Sequence, residues 1–179
     1  MRLFKRPTGA ARTGRGPSEL AALLREGEEM VAHLAEAHSG WGLGTADRWD
    51  LDQATGLLTW TFPDRTATAP AQILGTHNAA AGSWLWAWAN PSILPELSRD
   101  SRTVRDWAQH RGHTALTEPK VDADQEHAAT LAALALRITR AGGFYRGTGA
   151  AAVPYLTFGT VTLTRRDEPP TTFRVATDD

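Results

Sequence analysis

Apolar residues change their spacing several times along this chain, and each change predicts an element. Leu20, Leu23, Leu24, Met30, Val31 and Leu34 recur at three-to-four spacing, with Arg25, Glu26, Glu28, Glu29 and Glu36 on the other side. That pattern predicts an amphipathic helix over residues 18–38, capped by Ser18 and ended by Ser39-Gly40. Gly27 stands where another apolar residue is expected, which points to a close packing contact or a slight bend. From Arg48 the period becomes two. Trp49 and Leu51 precede a turn at 52–56, and Leu58, Trp60 and Phe62 follow on a common face, the signature of a β-hairpin. Residues 66–76 read as a third strand, in which Pro70 suits an edge or a bulge. A loop containing His77 then leads to a fourth strand. There Trp84, Trp86 and Trp88 alternate with Leu85, Ala87 and Ala89 until Pro91 stops the ladder.

Residues 91–112 return to helical spacing through Leu94, Leu97, Val104, Trp107 and Ala108, with a break near Ser98 and Gly112 in place to end it. A further helix starts at Asp122 or Asp124. Its apolar face holds Leu131, Leu134, Ile138 and Ala141 beside Ala128, Ala132 and Ala135, and Gly142-Gly143 closes it. Short strands follow at 144–146, over a longer alternating run at 153–163, and at 172–176. The expectation is one α+β domain over residues 17–179, preceded by a flexible basic arm at 1–16. Its antiparallel sheet is a four-strand meander plus two or three C-terminal strands, packed with about three helices. The alanine side of the tryptophan strand is expected to lie against the alanine-rich helix.

Composition narrows function by exclusion. A formal net charge of −1 gives no drive toward nucleic acid, apart from the local arm of Arg2, Lys5, Arg6, Arg12 and Arg15. The chain has no cysteine, so disulfides, thiolate chemistry and cysteine-ligated zinc are excluded. No apolar run approaches the ~20 residues of a membrane span, and the amino terminus lacks the apolar core of a signal peptide. A cytoplasmic location is the resulting expectation. The run Gly40-Trp41-Gly42-Leu43-Gly44 fails as a phosphate loop, because a helix precedes it and strand-like sequence follows. Nucleophile-elbow, zincin and P-loop motifs are absent. No set of three or four convergent metal ligands is legible, and no cofactor is implied.

Two stretches carry the candidate chemistry. Trp84, Trp86 and Trp88 on one strand face are either core or the wall of a groove for an apolar, cationic or protein partner. His77, just before them, is a candidate general base if it lies at a pocket mouth, and Asn90 is a nearby polar group. Gly142-Gly143-Phe144-Tyr145-Arg146-Gly147 is the second stretch. Its glycines allow close backbone approach, Tyr145 can donate a hydrogen bond and Arg146 can clamp an anion in a bidentate manner.

Leu74-Gly75-Thr76, the string from Ser83 through WLWAWAN to Asn90, Arg105-Asp106-Trp107 and Gly143-Phe144-Tyr145-Arg146-Gly147 are the residues of a resemblance. Together they resemble an uncharacterised family of bacterial domain-of-unknown-function proteins, over roughly residues 49–161. The resemblance implies a cytosolic bacterial protein of one α+β domain, and brings no activity or site residues with it. From the residues alone, the leading expectation is a small binding protein that engages a protein partner or small molecule through its aromatic face or the Tyr145-Arg146 segment. An immunity-type protein is one version. The competing expectation is a small enzyme with a tryptophan-lined pocket acting on an apolar or anionic small molecule. A third is purely structural: these residues stabilise a fold whose working surface lies in its loops.

Overall fold

The computed structural model describes residues 43–175, apart from 114–115 and 149–150, together with Arg25 and Gly27. Nine antiparallel strands among them form one sheet: β1 Arg48–Asp52, β2 Leu57–Thr61, β3 Arg65–Asn78, β4 Ser83–Trp86, β5 Lys120–Asp122, β6 Gly143–Arg146, β7 Ala152–Phe158, β8 Thr160–Arg165 and β9 Thr171–Arg174. Two α-helices accompany them, α1 Arg99–Arg111 and α2 Gln125–Thr139, with 3-10 turns at Leu43–Thr45, Ala87–Ala89 and Pro95–Ser98. None of the helices described is long and apolar enough to cross a membrane. The predicted basic arm lies outside the described residues, as does the helix predicted over 18–38 except at Arg25 and Gly27. Both of these are helical. A Cβ on Gly27 would sit 3.1 Å from the Thr130 carbonyl oxygen, so close packing, here against α2, accounts for this glycine.

Strands β1 to β4 are consecutive antiparallel neighbours, which is the expected meander. The long β3 is its spine. On one side it pairs with β2 and then β4; on the other it pairs with β8 over Arg65 to Thr68 and with β7 from Ala71 onward. Pro70 falls in the gap between the β8 and β7 pairings, so it sits in a central strand rather than at an edge. The C-terminal part holds four strands, more than predicted. Gly159 divides the expected 153–163 run into β7 and β8, and the short β5 adds to the far side of β4.

A bulge between Ile73 and Gly75 decides which core each half of β3 serves. Before it, Ala67, Ala69, Ala71 and Ile73 face a core with Leu58, Trp60, Leu156 and Phe158. Leu74 is the extra residue and turns into a second core. Beyond the bulge, Gly75 pairs with Trp86 and Tyr155, and His77 with Trp84 and Val153; paired residues share a sheet face. This second face is covered by Val104 and Ala108 of α1 and by Ala128, Leu131, Ala132 and Ala135 of α2.

Three local expectations are corrected. The tryptophan strand ends at Trp86, because Ala87–Ala89 coils into a 3-10 turn, and Trp88 leaves the ladder to pack half-buried at the margin of the same core. The helix alanines lie against the indole side, where small residues leave room for Trp84 and Trp86, while Ala87 enters the other core. Helix α2 ends with Arg140 in the left-handed region at φ 57° rather than at a glycine. Gly142 has a separate role: a Cβ there would lie 2.0 Å from the Val175 carbonyl oxygen.

Candidate functional site

Each sequence-predicted residue has a definite place. Trp84 and Trp86 are fully buried, with ring centroids 5.3 Å apart in an edge-to-face pair, and Tyr155 meets Trp84 at 5.1 Å. A Cβ on Gly75 would come within 2.5 Å of the Trp84 ring, which explains the glycine of the Leu74-Gly75-Thr76 segment. Truncating buried aromatics of this kind typically costs about 3–5 kcal/mol. Trp84 and Trp86 are core residues. Trp88 is half-buried, its backbone N–H donates to Ser101 Oγ at 3.2 Å, and the Arg105 guanidinium lies 5.2 Å from its ring centroid. Since Arg105 also pairs with Asp106 at 2.9 Å, the Arg105-Asp106-Trp107 segment ties α1 to the tryptophan turn.

His77 is not in a loop. It lies inside β3, 1 % exposed, with Nε2 at 3.1 Å from the Ala123 carbonyl oxygen. Asn90 closes a turn instead: its Oδ1 accepts the Ser92 N–H at 3.0 Å. It borders an open groove of about 380 Å³ that also holds Trp49, Leu51, Thr76 and Ile93. None of these side chains contributes a buried polar atom lacking a partner.

Tyr145 and Arg146 are neighbours in sequence but point to opposite faces of β6, as successive strand residues must. Tyr145 pairs with Leu156 and packs into the first core, edge-on to Trp60 at 5.3 Å and to Trp49 at 5.8 Å. Burial raises its hydroxyl above the ordinary phenol range, opposed by hydrogen bonding to Trp60 and Thr148. Arg146 faces α2 and is paired across the ladder with Tyr155. The two residues do not form one site.

Arg146 and Tyr155 do. With Phe144 they form the sheet wall of an open groove of about 390 Å³, opposite Gln125, Glu126, Ala129 and Thr130 on the first turns of α2. Local sequence builds each wall. Phe144 and Arg146 alternate past Tyr145, so both reach the helix side of β6. Residues 125, 126, 129 and 130 recur at helical spacing and share one face. Asp124 fixes the start of that face by accepting the His127 N–H at 2.8 Å.

The groove is polar at its base. Arg146 donates through Nη2 to Gln125 Oε1 at 3.2 Å, while its buried Nε finds no partner among the described residues. Tyr155 is 0 % exposed, and its hydroxyl makes no well-aligned hydrogen bond among the described residues, its polar neighbour being Arg146. Burial pushes this phenol above its usual range and the Arg146 charge opposes that, so at neutral pH it is a protonated donor. The base therefore holds two donors, one of them charged, both closed off from solvent in this conformation. Phe144, 5.9 Å from Tyr155 between ring centroids, adds an apolar surface. Of these residues sequence reasoning singled out only Arg146. Tyr155 was hidden because its role depends on the β6–β7 register, for which the only local signal is the alternation over 153–163. Among the described residues no group of three or more His, Cys, Asp or Glu could hold a metal ion.

A family model described as a family of unknown function (DUF6882) matches residues 21–161, and the chain belongs to that family. Neither the curated proteins nor the solved structures provide a match.

Proposed function

We propose that this family member is a non-catalytic binding protein that receives the anionic group of a small ligand in the Arg146–Tyr155 groove. One observation carries the reading: two buried donors, Arg146 Nε and Tyr155 Oη, lack well-aligned acceptors among the described residues at the base of an open groove. A buried polar group left unsatisfied costs about 1–3 kcal/mol, more for a charged one. A carboxylate or phosphate oxygen would pair with the guanidinium and, once a shift of the Arg146 side chain uncovers them, satisfy both donors. The positive end of α2 adds to the attraction.

A protein partner offering an acidic side chain is the alternative occupant. The immunity-type version would need a large exposed aromatic patch, and the burial of Trp84 and Trp86 leaves them unable to supply one. The enzyme version would need a cavity beside the tryptophans. The groove instead runs along Phe144 and Tyr155, and His77 is not among its residues. A cytoplasmic setting belongs to the same proposal and is supported by the cysteine-free composition.

Titration of the folded protein with acetate, 3-phenylpropionate and inorganic phosphate, followed by amide NMR, tests it. Saturable shifts at Phe144, Arg146 and Gln125 are expected, lost in Arg146→Gln and weakened at least several-fold in Tyr155→Phe. Absence of saturable shifts for all three anions in the wild type overturns the proposal.

A further inference from the structure

The groove carries opposite charges on its two walls. Arg146 stands on β6 and Glu126 on the second residue of α2, and both line the groove without forming an ion pair with one another. Glu126 is exposed, whereas Tyr155 at the base is fully buried. Arg146 donates a hydrogen bond to the neutral Gln125. Between the charged groups, Phe144 and Ala129 provide apolar surface.

Resting on the anion-binding reading above, we infer that the ligand is a zwitterion of the α-amino-acid class. Its carboxylate meets Arg146 and Tyr155, its ammonium faces Glu126, and its side chain lies along Phe144. Opposite charges on the two walls are complementary to a molecule that carries both, and each charge repels a ligand carrying the wrong one alone. A plain anion would satisfy Arg146 but would meet Glu126 at the rim. A groove of about 390 Å³ lies at the small end of the usual range for small-molecule sites, which suits a ligand of single-residue size.

The test compares L-phenylalanine, 3-phenylpropionate and phenethylamine, matched in apolar body but differing in charge, by calorimetry on the full chain. L-Phenylalanine is expected to bind at least about tenfold more tightly than 3-phenylpropionate, a difference typical of one additional charge-assisted contact. Glu126→Gln should abolish that preference and leave 3-phenylpropionate equally or more tightly bound. Because Glu126 is exposed, this variant is expected to fold, and circular dichroism checks that it does. If 3-phenylpropionate binds and L-phenylalanine binds no better, or if the preference survives in Glu126→Gln, the zwitterion assignment falls while the anion site stands. If none of the three binds, the zwitterion assignment falls, and the anion site falls with it when acetate and phosphate also give no saturable shifts. Phenethylamine binding as tightly as L-phenylalanine also overturns the assignment, because it removes the role of the carboxylate.

Discussion

At the scale of single residues, the Tyr155 hydroxyl distinguishes a core from a site. A phenol fully buried among Trp84, Phe144 and the α2 alanines would pack as well as phenylalanine. Its oxygen has no partner among the described residues, so the hydroxyl is a cost to the free protein. Tyr155→Phe should therefore leave stability unchanged or raise it by about 1 kcal/mol in urea melts, while weakening anion binding. A clear loss of stability would show that the hydroxyl is already satisfied and has no need of a ligand. Arg146 is different, since its guanidinium also holds Gln125 at the start of α2. The adjacent Tyr145 belongs to another core altogether, so the Gly143-to-Gly147 segment joins two structures in five letters of sequence.

At the scale of elements, helix ends were legible where a side chain caps them. Asp124 accepts the His127 N–H, and Gly112 takes the left-handed position at φ 75° after α1, both as the residue types predicted. Strand ends were less legible. Ala87, Trp88 and Ala89 continue an alternating pattern in sequence, yet they coil, and the side chains that hold them, Ser101 and Arg105, lie on a helix more than a turn of chain away. The end of α2 departs from glycine rules: Arg140 adopts the left-handed backbone, while Gly142, two residues on, serves a close contact with Val175. Two substitutions should move thermal stability in opposite directions. Asp124→Ala removes a cap and should cost about 1 kcal/mol, whereas Arg140→Gly relieves the left-handed strain and should gain up to about 1 kcal/mol. Equal and opposite signs reversed in a melting experiment would contradict the end geometry.

At the scale of the whole molecule, two cores share one sheet, and both contain a tyrosine whose hydroxyl is raised above its ordinary value chiefly by burial. The unfolded chain ionises these groups first as pH rises. Their contribution is therefore fully present below pH ~10 and is lost as pH climbs through the raised folded values. Unfolding midpoints should fall progressively above pH ~10, with a smaller fall in Tyr155→Phe; a flat profile there would refute the burial of both hydroxyls. The meander and both described helices could be read from periodicity, because those signals are local. The groove could not, since it depends on pairing Arg146 with Tyr155 and on setting β6 against α2. The bulge at Leu74 was equally hidden, because a single extra residue is visible only against its partner strand.

The central place of β3 also orders events in time. Strand β3 gains β2 and β4 on one side from chain on its immediate flanks, but β7 and β8 on the other side lie beyond both helices. A nascent chain emerging from the ribosome would hold β3 half-satisfied, with one edge open, until those later strands are made. Closing that edge joins the two cores in the same step, so neither core is complete before the other.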